Sequence, residues 1–228
     1  MSRPSTSVAV AFAAVVLALP GSARAGNEAA AEALFGEAKK LAAQGKYAEA
    51  CPKFAESNRL DRGAGTLIHL GDCYEKNKQT ASAWATYKEA SSAAQALGRK
   101  DWEKLASQRA AALEPKLARL TIKVDHPVDK MEVARDGSTI SHASWGVPIP
   151  VDVGAHSVEA TAPGFKPFKT SSTVSRDGER VEVTVPKLEA EPAAAPPPPP
   201  PVASVAPTTA PPDADKGSSG QRTLGFVV

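Results

Sequence analysis

The stretch LIHLGDCYEKNKQTASAWATYKEA, residues 67–90, decides how this chain is read. Leu67, Leu70 and Tyr74 are spaced three and four apart, as are Ala83, Tyr87 and Ala90, with Asn77 between the two runs. Such spacing puts each set on one face of a helix, and the break between them makes a helical hairpin. Working outward, Leu34, Ala38 and Leu41 form another stripe, and Ala50 and Phe54 a further one. Breaks at Gly45 and at residues 61–65 (DRGAG) separate helices of 13 to 17 residues, and a helix from about Asp101 to Leu113 closes the set.

A shift of 33 residues carries Ala50 onto Ala83, Phe54 onto Tyr87, and Gly45-Lys46-Tyr47 onto Lys78-Gln79-Thr80. On these residues the segment resembles the tetratricopeptide repeat family. GKYAEACPKFAES (45–57) is similar to the second half of one repeat, and residues 67–90 to most of the next. Lys78 and Thr80 stand where the family has a turn glycine and a tyrosine, and Arg62 where it usually has proline. The resemblance implies a module that takes a peptide along the side formed by the first helix of each hairpin. Carried over, Glu32, Phe35, Lys39, Ile68, Asp72 and Glu75 would line that side.

Residues 118–188 change period. Leu120 to Val124 and Val181 to Val185 alternate apolar and polar residues, as does Met131-Glu132-Val133, and Asp-Gly pairs occur at 136–137 and 177–178. Six or seven short strands in this span predict a small antiparallel β-sandwich. VARDG (133–137), WGVPIPVDVGAHSVEATAPGF (145–165) and ERVEVTVPKL (179–188) resemble the PEGA domain, a small β module of bacterial exported and surface proteins. The tetrapeptide that names the family is absent.

The ends read differently again. Residues 1–7 carry one positive charge, 8–20 none, and Ala23-Arg24-Ala25 is a small-x-small site, so residues 1–25 read as a signal peptide removed after Ala25. Export predicts an oxidising compartment, most simply a periplasm. In that setting Cys51 and Cys73, the only cysteines, read as a disulfide, with two buried free thiols as the alternative. Residues 189–220 hold ten of the twenty prolines and read as a disordered spacer. Residues 224–228 (LGFVV) read as the start of an apolar segment, and with a continuation the chain would be membrane-tethered. The expected division is thus a signal peptide (1–25), a tetratricopeptide-like helical domain (26–114), a PEGA-type β-sandwich (118–188), a proline-rich linker (189–223) and the apolar start (224–228).

Removing Arg3 and Arg24 with the signal reduces 27 basic residues to 25, against 25 acidic ones, which leaves no bulk charge to attract nucleic acid. The four histidines, His69, His126, His142 and His156, make no ligand-spaced pair. No nucleophile elbow or phosphate loop occurs, and nothing distinguishes a general acid and base among 25 carboxylates. Neither metal nor cofactor is expected, and no catalysis. The reading is a non-enzymatic envelope scaffold that binds a protein or peptide. The alternative is a carbohydrate or peptidoglycan binder using an exposed Trp145 at the sandwich edge, weighed against Trp145 capping the core. Trp84 and Trp102 read as core, and His156 as a solvent-facing strand position.

Overall fold

The computed structural model describes residues 21–191, with side chains from residue 26; the expectations placed on residues 1–20 and 192–228 lie outside the described residues. Five helices come first: α1 (Gly21–Ala43), α2 (Tyr47–Leu60), α3 (Ala64–Lys76), α4 (Thr80–Ala96) and α5 (Lys100–Leu113). A single 3₁₀ turn, Glu114–Lys116, leads into seven strands: β1 (Ala118–Val124), β2 (Glu132–Arg135), β3 (Ser138–Ile140), β4 (Ile149–Val151), β5 (Gly154–Thr161), β6 (Phe168–Val174) and β7 (Arg180–Val185). Helices followed by sheets is the order that the change of period predicts.

The helical hairpins depend on small residues. Ala50 and Ala83 are fully buried, and the rings that follow them by four positions, Phe54 and Tyr87, are 2% and 1% exposed. Tyr87 lies against Gly71 so closely that a Cβ there would stand 2.7 Å from the ring. No side chain but hydrogen fits that position. The equivalence of Gly45 and Lys78 is also physical: both turn residues have positive φ, 75° and 62°. Glycine adopts that region freely, whereas lysine is strained in it. A disulfide joins Cys51 on α2 to Cys73 on α3, with 5.6 Å between their Cα atoms.

The strands form two sheets, ordered β4-β1-β7 and β3-β2-β5-β6. Leu120, Ile122, Met131, Val133, Val158 and Val185 fill the space between them. The β2–β3 hairpin turns on Asp136 and Gly137, both at positive φ, as a two-residue turn between twisted strands requires. The expectation of a wholly antiparallel sandwich needs correction. β1 runs parallel to β7 over six residue pairs, from Arg119↔Arg180 to Val124↔Val185. The intervening strands supply the long crossover that parallel neighbours need. Trp84 and Trp102 are both half-buried; Trp84 packs against the helical core, and Trp102 lies outside it.

The helices meet the sandwich through α4. Its N-cap residue, Gln79, makes no side-chain bond to the helix amides, its oxygen accepting from Asn77. Instead Asp152, in the β4–β5 turn, accepts the Ala81 and Ser82 amides at 2.8 and 3.0 Å and the Ser82 hydroxyl at 2.5 Å. Thr80 Oγ1 donates to Asp177 Oδ2 at 3.1 Å. Two carboxylates from sheet loops therefore stand at the positive end of the helix dipole.

Three outcomes follow from this packing. Gly71→Val, which drives two methyls into an immobile ring, lowers unfolding free energy by about 2 kcal/mol or more in urea titrations, while Gly36→Ala, with open space around it, raises it by about 0.5 kcal/mol. Asp152→Ala removes the cap and lowers it by about 1–2 kcal/mol.

Candidate functional site

The spacing of Ile68, Asp72 and Glu75, four and then three residues, sets them on one face of α3. That face lies between α1 and α5, with a cleft on each side. The first cleft, about 220 Å³, is lined by Lys39 of α1, Tyr47 and Phe54 of α2, and His69, Asp72 and Lys76 of α3. The second, about 280 Å³, is lined by Ile68, His69, Asp72, Tyr87, Leu105 and Arg109. His69 and Asp72 line both, so the two clefts lie side by side as a groove divided by these two residues. A larger hollow of about 550 Å³ lies at the start of α1, where Glu28, Glu32 and Phe35 face Ser57, Asp61 and Thr66.

An aromatic cluster stiffens one wall. Phe35 meets Phe54 edge-on at 5.4 Å and His69 at 5.1 Å, while His69 stacks on Phe54 at 5.9 Å. The Lys39 ammonium stands 5.7 Å from the Phe35 ring. On the other side, Arg109 ties α5 to α3. One guanidinium nitrogen lies 3.2 Å from both Asp72 Oδ1 and Glu75 Oε2, and Nε donates to the Tyr87 hydroxyl at 3.4 Å. Lys76 reaches the second Asp72 oxygen at 3.0 Å. Asp72 is thus shared by two cations.

These neighbours shift the proton affinities. Burial pushes the Tyr87 phenol up, partly offset by Arg109. The Asp72 carboxylate holds the Lys76 ammonium charged to higher pH. His69 is held below the ordinary imidazole value, first by burial and then by the Lys39 cation, against which Asp72 acts.

Of the residues expected to meet a partner, Glu32 and Phe35 line the hollow at α1. Lys39 and Asp72 line the first cleft, and Ile68 and Asp72 the second. Glu75 engages Arg109 and Tyr87. Sequence reasoning missed His69, Leu105, Tyr87 and Arg109. His69 is weighed there only as a metal ligand, and α5 only as a cap. Their signal is positional: His69 adjoins Ile68, and Leu105 and Arg109 stand four apart on the next helix.

The other singled-out residues lie in the sandwich. Trp145 packs on its core, and its ring stacks on His142 with centroids 4.0 Å apart. His156 corrects the expectation of a solvent-facing position: its side chain is 12% exposed, because residues two apart in a strand share a face and Val158 points inward. Among the described residues, no group of three or more His, Cys, Asp or Glu is placed to hold a metal ion. Nor is any helix among them long and apolar enough to cross a membrane. A scan against protein-family models and a search of curated proteins both find no match to this chain.

The His69 environment fixes a pH response. Its folded-state affinity for a proton is depressed, so its contribution to stability is intact above the unfolded value of about 6.5 and is lost as pH falls through the lower folded value. NMR titration of the His69 ring should give a midpoint below the ordinary value, and Lys39→Gln should raise it. His69→Gln should flatten this part of the acid-side loss of stability.

Proposed function

We propose that this chain is a non-enzymatic, exported cell-envelope protein that recruits a protein or peptide through a tetratricopeptide-like helical module, with a PEGA-type sandwich as its rigid neighbour. The observation that carries the reading is the shared wall of the two clefts: His69 and Asp72 stand between a cleft toward α1 and a cleft toward α5, side by side in a divided groove. The first helix of each hairpin lines it, as the repeat resemblance implies. The 33-residue equivalence supports the same reading, since Ala50 and Ala83 are both buried, and the turn residues Gly45 and Lys78 share one backbone conformation. The Cys51–Cys73 disulfide suits an oxidising compartment.

The groove offers a partner three kinds of contact. Ile68 and Leu105 present apolar surface, 44% of Leu105 being exposed. Lys39 supplies a cation near one wall. The Asp72–Arg109–Glu75 network is held rigid by the protein itself, so a partner meets fixed dipoles and loses little entropy in ordering them. A segment with apolar anchors and an acidic group opposite Lys39 matches this arrangement. Trp145 already gives one ring face to His142 and other parts to the core, which leaves less of it for a sugar.

Full-length protein should capture a specific polypeptide from envelope extracts. The double variant Lys39→Glu, Leu105→Asp alters two exposed groove residues and should weaken capture about tenfold or more with an unchanged melting temperature. Trp145→Ala should leave it intact. Capture indifferent to the groove variant, with loss of cell-wall binding in Trp145→Ala, would transfer the function to the sandwich.

A further inference from the structure

The outward face of the β1–β7 ladder carries charges that the sandwich leaves unbalanced. Leu120 and Ile122 of β1 and Val183 and Val185 of β7 point into the core. The residues alternating with them face outward: Arg119, Thr121 and Lys123 on β1, and Arg180, Glu182 and Thr184 on β7. Because the strands run parallel and in register, Arg119 stands directly beside Arg180, Thr121 beside Glu182, and Lys123 beside Thr184. Neighbouring strands lie about 4.8 Å apart, so the two guanidiniums start from backbone positions within reach of one small ligand.

Among the described residues nothing neutralises this pair. The carboxylate on the same face, Glu182, meets Lys123 across the ladder at 2.8 Å. Those of the loop leading into β7 are committed as well. Asp177 accepts the Thr80 hydroxyl at 3.1 Å, and Glu179 accepts the Ser175 and Arg176 amides at 2.6 and 3.2 Å. On its other side Arg119 is paired with Pro150 of β4, whose side chain brings no acceptor. Neither guanidinium forms a hydrogen bond or an ion pair among the described residues. Like charges directly opposite on adjacent strands are destabilising, and each guanidinium holds a fork of donors without acceptors. Arg180 is exposed and Arg119 half-buried, so a ligand can approach the pair from solvent.

We propose that Arg119 and Arg180 together bind a phosphate monoester. Two adjacent forks carry two positive charges, and a phosphoryl group supplies about two negative charges on three oxygens to share between them. A carboxylate, with one charge and two oxygens, occupies a single fork. The phosphoryl group belongs either to a free monoester or to a lipid headgroup, and the chemistry that recognises it is the same. This site is on the sandwich and does not depend on the function proposed for the helical groove.

Phenyl phosphate is the probe for the free source, with phenyl sulfate, alike in shape but singly charged, as its control. Titrated into the full-length protein at about pH 7.5 and constant ionic strength, phenyl phosphate should shift the Arg119 and Arg180 Nε–H resonances in a saturable way. Phenyl sulfate should bind about tenfold more weakly or worse, as should phenyl phosphate to Arg180→Gln, whose fold circular dichroism checks. Affinity should fall as pH is lowered through about 6, where the phosphate takes up a proton. Vesicles test the other source: preference for phosphatidic acid, a monoester, over phosphatidylglycerol, a diester, without a response to phenyl phosphate would place the phosphoryl group on a lipid. Equal binding of phenyl phosphate and phenyl sulfate, vesicle binding indifferent to the headgroup, or no response to either monoester would overturn the proposal without need of any variant. Wild-type affinity in Arg180→Gln would overturn it too.

Discussion

A carboxylate from a β turn closes the start of a helix, and the arrangement of the whole folded part hangs on it. The first amides of α4 lack partners within the helix, and Gln79 before them offers none. Asp152 satisfies two of them and the Ser82 hydroxyl, with Asp177 on Thr80 beside it. Because a cap must sit within hydrogen-bond distance of specific amides, it sets position as well as contributing stability. The apolar clusters of the helices and of the sandwich are separate, so this contact between them is polar and directional.

Within the helices, close approach does the equivalent work. Gly71 admits the Tyr87 ring, and that ring's hydroxyl reaches Glu75 and Arg109 at the edge of the groove. One residue therefore serves as core at its ring and as part of the cleft wall at its oxygen. The disulfide between α2 and α3 lies just beneath the first cleft, where Cys73 contributes to the wall. Packing and groove shape are accordingly linked: a change that loosens α3 on α4 also displaces Asp72 and His69.

The helices were legible because their period appears in the chain itself. Phe54 and Tyr87 stand 33 residues apart and fill the same kind of gap between helices. The direction of β7 was not legible: Val181 to Val185 alternates in the same way whether its neighbour runs parallel or antiparallel. His156 was misplaced by treating its neighbour two residues on as lying on the opposite face. In the groove, residues on α1 and α3 could be placed from the repeat pattern, but Arg109 could not. Its role comes from α5 lying beside α3, a tertiary contact between residues 37 positions apart.

The parallel pairing of β1 and β7 also governs how the sandwich carries force. The helices are joined to the beginning of β1, and beyond β7 the described chain stays on the sandwich, with Leu188 in its core and Ala190 bridged to Phe165. Tension between the start of β1 and the end of β7 pulls the two strands lengthwise past one another, so the whole ladder of bonds resists together and cannot peel apart one rung at a time. The sandwich is thereby built to bear load in shear along its one parallel ladder.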